Sequence, residues 1–158
     1  MTLARKLTMD KVLPHRGGMI LLDELLEHGP EHVSCVVTIR ADTLFCDGVN
    51  GVPAWVGIEY MAQTASVYAG VPEANAGIPA SICLLLGARR FRAEEPFFAI
   101  GARLRVFAEL LLHDDNDLAA FGCVIYCDQG RGERVVARGD IKAYRPKDPA
   151  AVVRGDRI

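Results

Sequence analysis

Paired cysteines are missing from this sequence. Its five, Cys35, Cys46, Cys83, Cys123 and Cys127, are odd in number, contain no CxxC and have no histidine cluster beside them. That argues against a zinc ribbon or a disulfide framework, and the five read as reduced thiols buried as small hydrophobes. No metal site is expected. An excess of one charge is missing too: 18 Lys and Arg against 20 Asp and Glu leave a formal net charge of −2. No half of the chain is basic enough to neutralise a run of phosphates, so nucleic acid is not an expected partner. No apolar run is long enough to span a bilayer, because the longest is cut by Glu59 and Gln63, and no membrane association is expected. The opening MTLARKLTMDKVLPHR has its charges spread through it and lacks the apolar core of a secretory signal, which points to a cytoplasmic protein.

What is present is a chain of 158 residues, 51% hydrophobic and 24% charged, a balance suited to one core. Residues 1–146 read as a single domain and residues 147–158 as a polar, proline-bearing tail. A short helix is expected over residues 8–13, stopped by Pro14, with a turn at Gly17-Gly18. Residues 19–27 and 32–40 read as strands, the first from its short length and flanking turns, the second from its β-branched run HVSCVVTIR. Residues 52–70, VPAWVGIEYMAQTASVYAG, read as a central helix with Pro53 in the first turn and Gly70 as its stop. Four strand-like runs follow, separated by polar turns at residues 113–117 and 128–132. In one of them Leu104, Val106, Ala108, Leu110 and Leu112 alternate with Arg103, Arg105, Phe107, Glu109 and Leu111, giving a buried and a half-exposed face. One long apolar helix followed by an antiparallel meander implies an α+β fold in which a strongly curved sheet wraps the helix. The edges of such a sheet favour dimerisation.

Glu59 is the anomaly in that helix, since an ionised carboxylate buried without a partner costs several kcal/mol. Gln63, one turn on, shares its face and is placed to hold it by a hydrogen bond. Either the pair is a satisfied structural contact or it does chemistry.

The segments LPHRGGMILLDELLE and PAWVGIEYMAQ together resemble the hotdog-fold 3-hydroxyacyl-acyl-carrier-protein dehydratases of fatty-acid synthesis, and more closely the predicted dehydratases of aryl-polyene-type lipid clusters. The similarity covers about residues 8–146. It implies a hotdog domain, dimerisation that joins two sheets, and acyl tunnels at the subunit interface. It also implies dehydration of 3-hydroxyacyl thioesters on acyl carrier protein to 2-enoyl thioesters, with Glu59 and Gln63 matching the helix glutamate and glutamine of the site. No separate cofactor is implied, because phosphopantetheine enters with the carrier-protein substrate. The family's loop histidine has no counterpart, since LFCDGVNG before the helix contains none. His15 belongs to the segment before the first strand and is not expected to replace it, while His28, His32 and His113 fall at turns or strand ends. The chain is therefore expected to act as a homodimer or, to regain the imidazole, as the glutamate-bearing subunit of a heterodimer with a histidine-bearing hotdog subunit. Asp47 and Cys46 are the substitutes within the loop, although Asp47-Gly48 also reads as turn chemistry and Cys46 as a buried thiol.

Backbone N–H groups of Ala54, Trp55 and Val56 at the helix start are candidates for the thioester oxygen. The Trp55, Tyr60 and Met61 side chains read as core or tunnel lining. Arg89 and Arg90, with Arg92, form the densest basic cluster, either a landing patch for the acidic carrier protein or a solvated strand end. Two other readings stay open at this level: a hotdog acyl thioesterase, or a non-catalytic acyl-binding or structural partner subunit.

Overall fold

The computed structural model describes residues 6–155. A four-residue helix, α1 (Met9–Val12), ends where Pro14 forbids continuation, and a single 3-10 turn at Gly17–Met19 follows. The chain then forms β1 (Glu24–His28), β2 (His32–Thr38), the short β3 (Val52–Pro53), helix α2 (Gly57–Asn75), β4 (Leu84–Ala93), β5 (Phe97–Phe98), β6 (Arg103–His113), β7 (Leu118–Asp128), β8 (Glu133–Tyr144) and helix α3 (Pro149–Arg154). Six strands form one antiparallel sheet in the order β1-β2-β6-β7-β8-β4, and β3 pairs with β5 apart from it. Bulges interrupt the β1–β2, β4–β8, β6–β7 and β7–β8 ladders, adding twist to a sheet that packs one face on α2. This is the hotdog architecture expected from the sequence. The segment read as a tail carries α3, whose N-terminus is capped by the Asp148 side chain.

The helix side of the sheet is built from Val33, Cys35 and Val37 of β2, Leu104, Val106 and Ala108 of β6, and Phe121, Cys123 and Ile125 of β7, all buried. Tyr60, Met61, Thr64, Val67 and Val71 of α2 recur every three or four residues and are buried with them. On the outer face Arg105 lies over the Tyr126 ring, 4.2 Å from its centroid, and pairs with Glu133. Burial pushes the Cys35 and Cys123 thiols up to about 12, so both are inert as nucleophiles near neutral pH. Among the described residues no helix is long and apolar enough to cross a membrane, and no group of histidine, cysteine and carboxylate side chains converges as a metal site.

Three expectations need correction. Strand β1 starts at Glu24, because Leu21 and Met19 spend their backbone groups on the Gln63 side chain instead of a ladder. The alternation in β6 fails after Leu110: a bulge there leaves Leu111 and Leu112 both exposed. Gly70 does not stop the helix. A methyl group at position 70 would lie 1.9 Å from the Val12 carbonyl oxygen, so glycine lets α1 sit directly on α2.

Helix α2 runs on through Pro72 and closes at Gly77, which takes φ 71° while Ile78 N–H reaches back to the Glu73 carbonyl at 2.9 Å. Pro72 has no N–H to offer the Tyr68 carbonyl one turn back. His28 supplies the missing donor, with Nε2 at 3.0 Å, and so ties the β1–β2 turn to the helix.

Gly70→Ala measures the seating of α1. Alanine gains about 1 kcal/mol of helix propensity over glycine, but overpacking against backbone costs about 1–3 kcal/mol. With the overlap this deep the second effect is expected to win, giving a lower urea midpoint at unchanged slope. A raised midpoint would mean that α1 is not held there.

Candidate active site

Gln63 is fully buried, and its amide orientation is dictated by its neighbours. Leu21 N–H donates to Oε1 at 3.0 Å, while Nε2 donates to the Met19 carbonyl at 2.8 Å. A carbonyl only accepts and an N–H only donates, so no flipped amide satisfies both. The remaining Nε2 hydrogen goes to Glu59 Oε1 at 3.0 Å. Glu59 Oε1 is therefore the acceptor in this bond, and Oε2 makes none to Gln63.

The Glu59 side chain is 38% exposed, not buried as its apolar surroundings suggest. It stands on the wall of a recess of about 190 Å³ lined also by His15, Gln63, Ser66 and Cys83, with Leu84 and Leu85 of β4 opposite. Much of the desolvation cost anticipated from sequence is thus avoided.

His15, set aside on sequence as a replacement for the loop histidine, stands beside Glu59. Its Nε2 is 3.7 Å from Glu59 Oε1, within ion-pair reach when the ring is protonated, and its Nδ1 is buried with no partner among the described residues. Arg16 holds this placement by curling its guanidinium back onto the carbonyls of Leu13, Pro14 and His15. The Pro14-His15-Arg16 triplet was the available signal: proline stops α1, arginine clamps the turn, and histidine is delivered to the helix.

The other candidates lie elsewhere. Ala54 N–H is taken by the Pro96 carbonyl at 2.9 Å, which removes it as a donor to substrate. Residues 54–56 form a 3-10 turn leading into α2, and neither Trp55 nor Val56 lines the recess. The Trp55 side chain is 61% exposed and tilts against Phe45, with centroids 5.8 Å apart, so it is neither core nor lining. Tyr60 and Met61 are core. Arg89 and Arg90 are exposed further along β4, at a bulge where Arg90 takes φ 54°, and do not border the recess. Cys46 is half-buried against the core.

Asp47 is turn chemistry. Its Oδ1 accepts N–H groups of Val49, Asn50 and Gly51, and Oδ2 accepts from the Asn50 amide. These bonds, led by that of Val49, hold its carboxyl down at about 2. A carboxylate so engaged is no substitute for a catalytic imidazole.

The fold defines a hotdog domain with a carboxylate on the central helix. The ApeP-like family, described as ApeP dehydratase, matches residues 7–154, and the chain belongs to that dehydratase family. Among solved structures, the dehydratase heterocomplex ApeI:P from Xenorhabdus doucetiae is 30% identical, with a TM-score of 0.82 over 95% of this chain and 97% of that one. AziG from S. sahachiroi is 18% identical, with a TM-score of 0.55 over 77% of this chain and 89% of that one. A hypothetical thioesterase from Streptococcus pneumoniae with coenzyme A is 10% identical, with a TM-score of 0.57 over 78% and 84%. The last two share the fold alone. No curated protein matches the sequence significantly.

Asp47 has a pH signature. Its carboxyl is lowered in the folded state, so its contribution to stability is complete above the unfolded value near 3.8 and is lost as pH falls towards about 2. Asp47→Asn is expected to flatten the acid limb of the urea midpoint between about pH 4 and pH 2. An acid limb identical to that of the wild type would remove the loop from this account.

Proposed function

We propose that this dehydratase acts on 3-hydroxyacyl thioesters of acyl carrier protein, with Glu59 moving the proton and Gln63 fixing its carboxyl. The observation that carries the reading is a carboxylate at the wall of an accessible recess, clamped through one oxygen by an amide that cannot turn. In the reaction Glu59 takes the α-proton, the C–H electron pair becomes the new double bond, and the β-carbon–oxygen bond breaks. The departing hydroxyl leaves as water once it has received a proton, which the same carboxyl or an imidazole returns.

The imidazole has two candidate origins. We assign it first to a histidine-bearing hotdog subunit, with this chain as the glutamate-bearing half of a heterodimer. Support comes from β4, which has a neighbour only in β8 among the described strands and exposes Leu85 and Leu86, with Ile82 exposed just before it, and from the similarity to a dehydratase heterocomplex. A second reading is favoured by one distance: His15, 3.7 Å from Glu59, supplies the imidazole from the same chain.

Turnover of a 3-hydroxyacyl carrier protein by the chain alone, and with its co-encoded hotdog partner, separates these. Glu59→Gln is expected to lower turnover by about 10²–10⁴-fold in either assembly. Turnover by the chain alone that His15→Gln abolishes assigns the imidazole in cis. Turnover only with the partner, and little changed in His15→Gln, assigns it in trans. Release of free acid in place of the enoyl product points to a thioesterase, and a partner unaffected by Glu59→Gln marks this chain as a scaffold.

Arg89 and Arg90 are proposed as the carrier-protein contact, on the strength of their exposure on the strand that also borders the recess. Arg90→Glu is expected to weaken carrier-protein binding, more at low than at high salt. A wild-type affinity that is flat with salt would leave the patch a solvated strand end.

A further inference from the structure

We infer that the chain has a second ligand site beside the β3–β5 pair, and that it takes a small zwitterion with an apolar body, of which an α-amino acid with a large hydrocarbon side chain is the simplest form. The inference does not rest on the dehydratase reading. No residue that lines this site lines the Glu59 recess.

Strands β3 and β5 pair only with each other, Val52 opposite Phe98 and Pro53 opposite Phe97. Between this pair and the adjoining ends of β6, β7 and β8 lies a cavity of about 350 Å³, within the range of small-molecule sites. Asn50 and residues 95–99 line one side of it, and Leu104, Cys127, Gln129, Arg134 and Val136 line the other. The first side is held in place by its backbone. Gly51 takes φ 122°, and a methyl group there would lie 1.9 Å from the Phe98 carbonyl oxygen. Ala54 N–H donates to the Pro96 carbonyl at 2.9 Å, and Glu94 N–H ties the segment to the Val136 carbonyl of β8 at 2.9 Å.

The interior of the cavity is apolar, with Phe98, Leu104 and Val136 buried. Its rim carries two opposite charges. Glu95 stands beside β5 and Arg134 on β8, and among the described residues neither makes a hydrogen bond or an ion pair, with each other or with anything else. Each has a neutral companion on its own side. Asn50 gives its amide hydrogen to Asp47 and leaves Oδ1 without a bond, while the Gln129 amide makes none. The Arg134 charge is felt inside: burial raises the Cys127 thiol, and Arg134 works against that rise.

These walls select the ligand. A hydrocarbon body covers Phe98, Leu104 and Val136, a carboxylate answers Arg134 and Gln129, and an ammonium answers Glu95 and Asn50. A plain anion or a plain cation would satisfy one pole and meet a like charge at the other.

The test is isothermal titration of the purified full chain, together with its hotdog partner if one co-purifies. L-Phenylalanine is expected to bind saturably. Hydrocinnamate, which lacks the ammonium, and phenethylamine, which lacks the carboxylate, are expected to bind at least about tenfold more weakly, because each forfeits a charge-assisted contact. Arg134→Gln is expected to weaken L-phenylalanine by about tenfold without weakening phenethylamine, and Glu95→Gln to weaken it equally without weakening hydrocinnamate. Both side chains are exposed, so the variants are expected to fold, which an unchanged urea midpoint verifies. No saturable binding of L-phenylalanine up to on the order of 10 mM overturns the inference. Equal binding of the three compounds, or an L-phenylalanine affinity unchanged in either variant, overturns it as well. Turnover is not a readout here, so the outcome leaves the dehydratase reading to its own experiment.

Discussion

The buried amide of Gln63 joins three parts of the chain that are far apart in sequence. It bonds Leu21 and Met19 in the segment before β1, and Glu59 one turn earlier on α2. A fully buried amide with an unmet donor or acceptor would cost about 1–3 kcal/mol for each missing bond. Satisfying it fixes the segment that carries His15, shortens β1, and engages one carboxyl oxygen of Glu59. Stability and site geometry thus depend on the same side chain. Glu59 could change its rotamer only by giving up a bond that Gln63 cannot redirect.

Helix α2 is apolar on most sides because it has a sheet on one side, α1 on another, and the walls of two spaces along its length. Each surface asks for a different residue type. The sheet takes Tyr60, Val67 and Val71, α1 takes Gly70, and the cavities take small or polar groups at Ala62, Ser66 and Ala69. One end of the helix carries Glu59 beside the recess, while the other is clasped by His28 and the Arg145–Glu73 ion pair.

Much of this was legible in the primary structure. The period-two runs became strands, the helix appeared where its apolar run lies, and the Glu59–Gln63 pair meets as its four-residue spacing required. The features that escaped depended on contacts across long stretches of chain. His15 meets Glu59 only because Arg16 clamps a turn and Gln63 anchors the residues just beyond it, and neither bond leaves a periodic trace. Gly70 was read as a stop because glycine serves both for left-handed turns and for close approach, and its φ is not written in the sequence. Ala54 lost its place as a donor to a carbonyl, that of Pro96, lying 42 positions away. Leu112 followed its alternation until a bulge reset the register.

One strand carries two duties. Leu84 and Leu85 of β4 form the wall opposite Glu59, and the same strand ends the sheet with its outer backbone groups unpaired by any described strand. Any subunit that adds to this rim packs beside the recess that holds Glu59, so association and the recess share a structural element. Where catalysis needs a second subunit at that rim, specific activity obeys mass action and falls on dilution as the assembly comes apart.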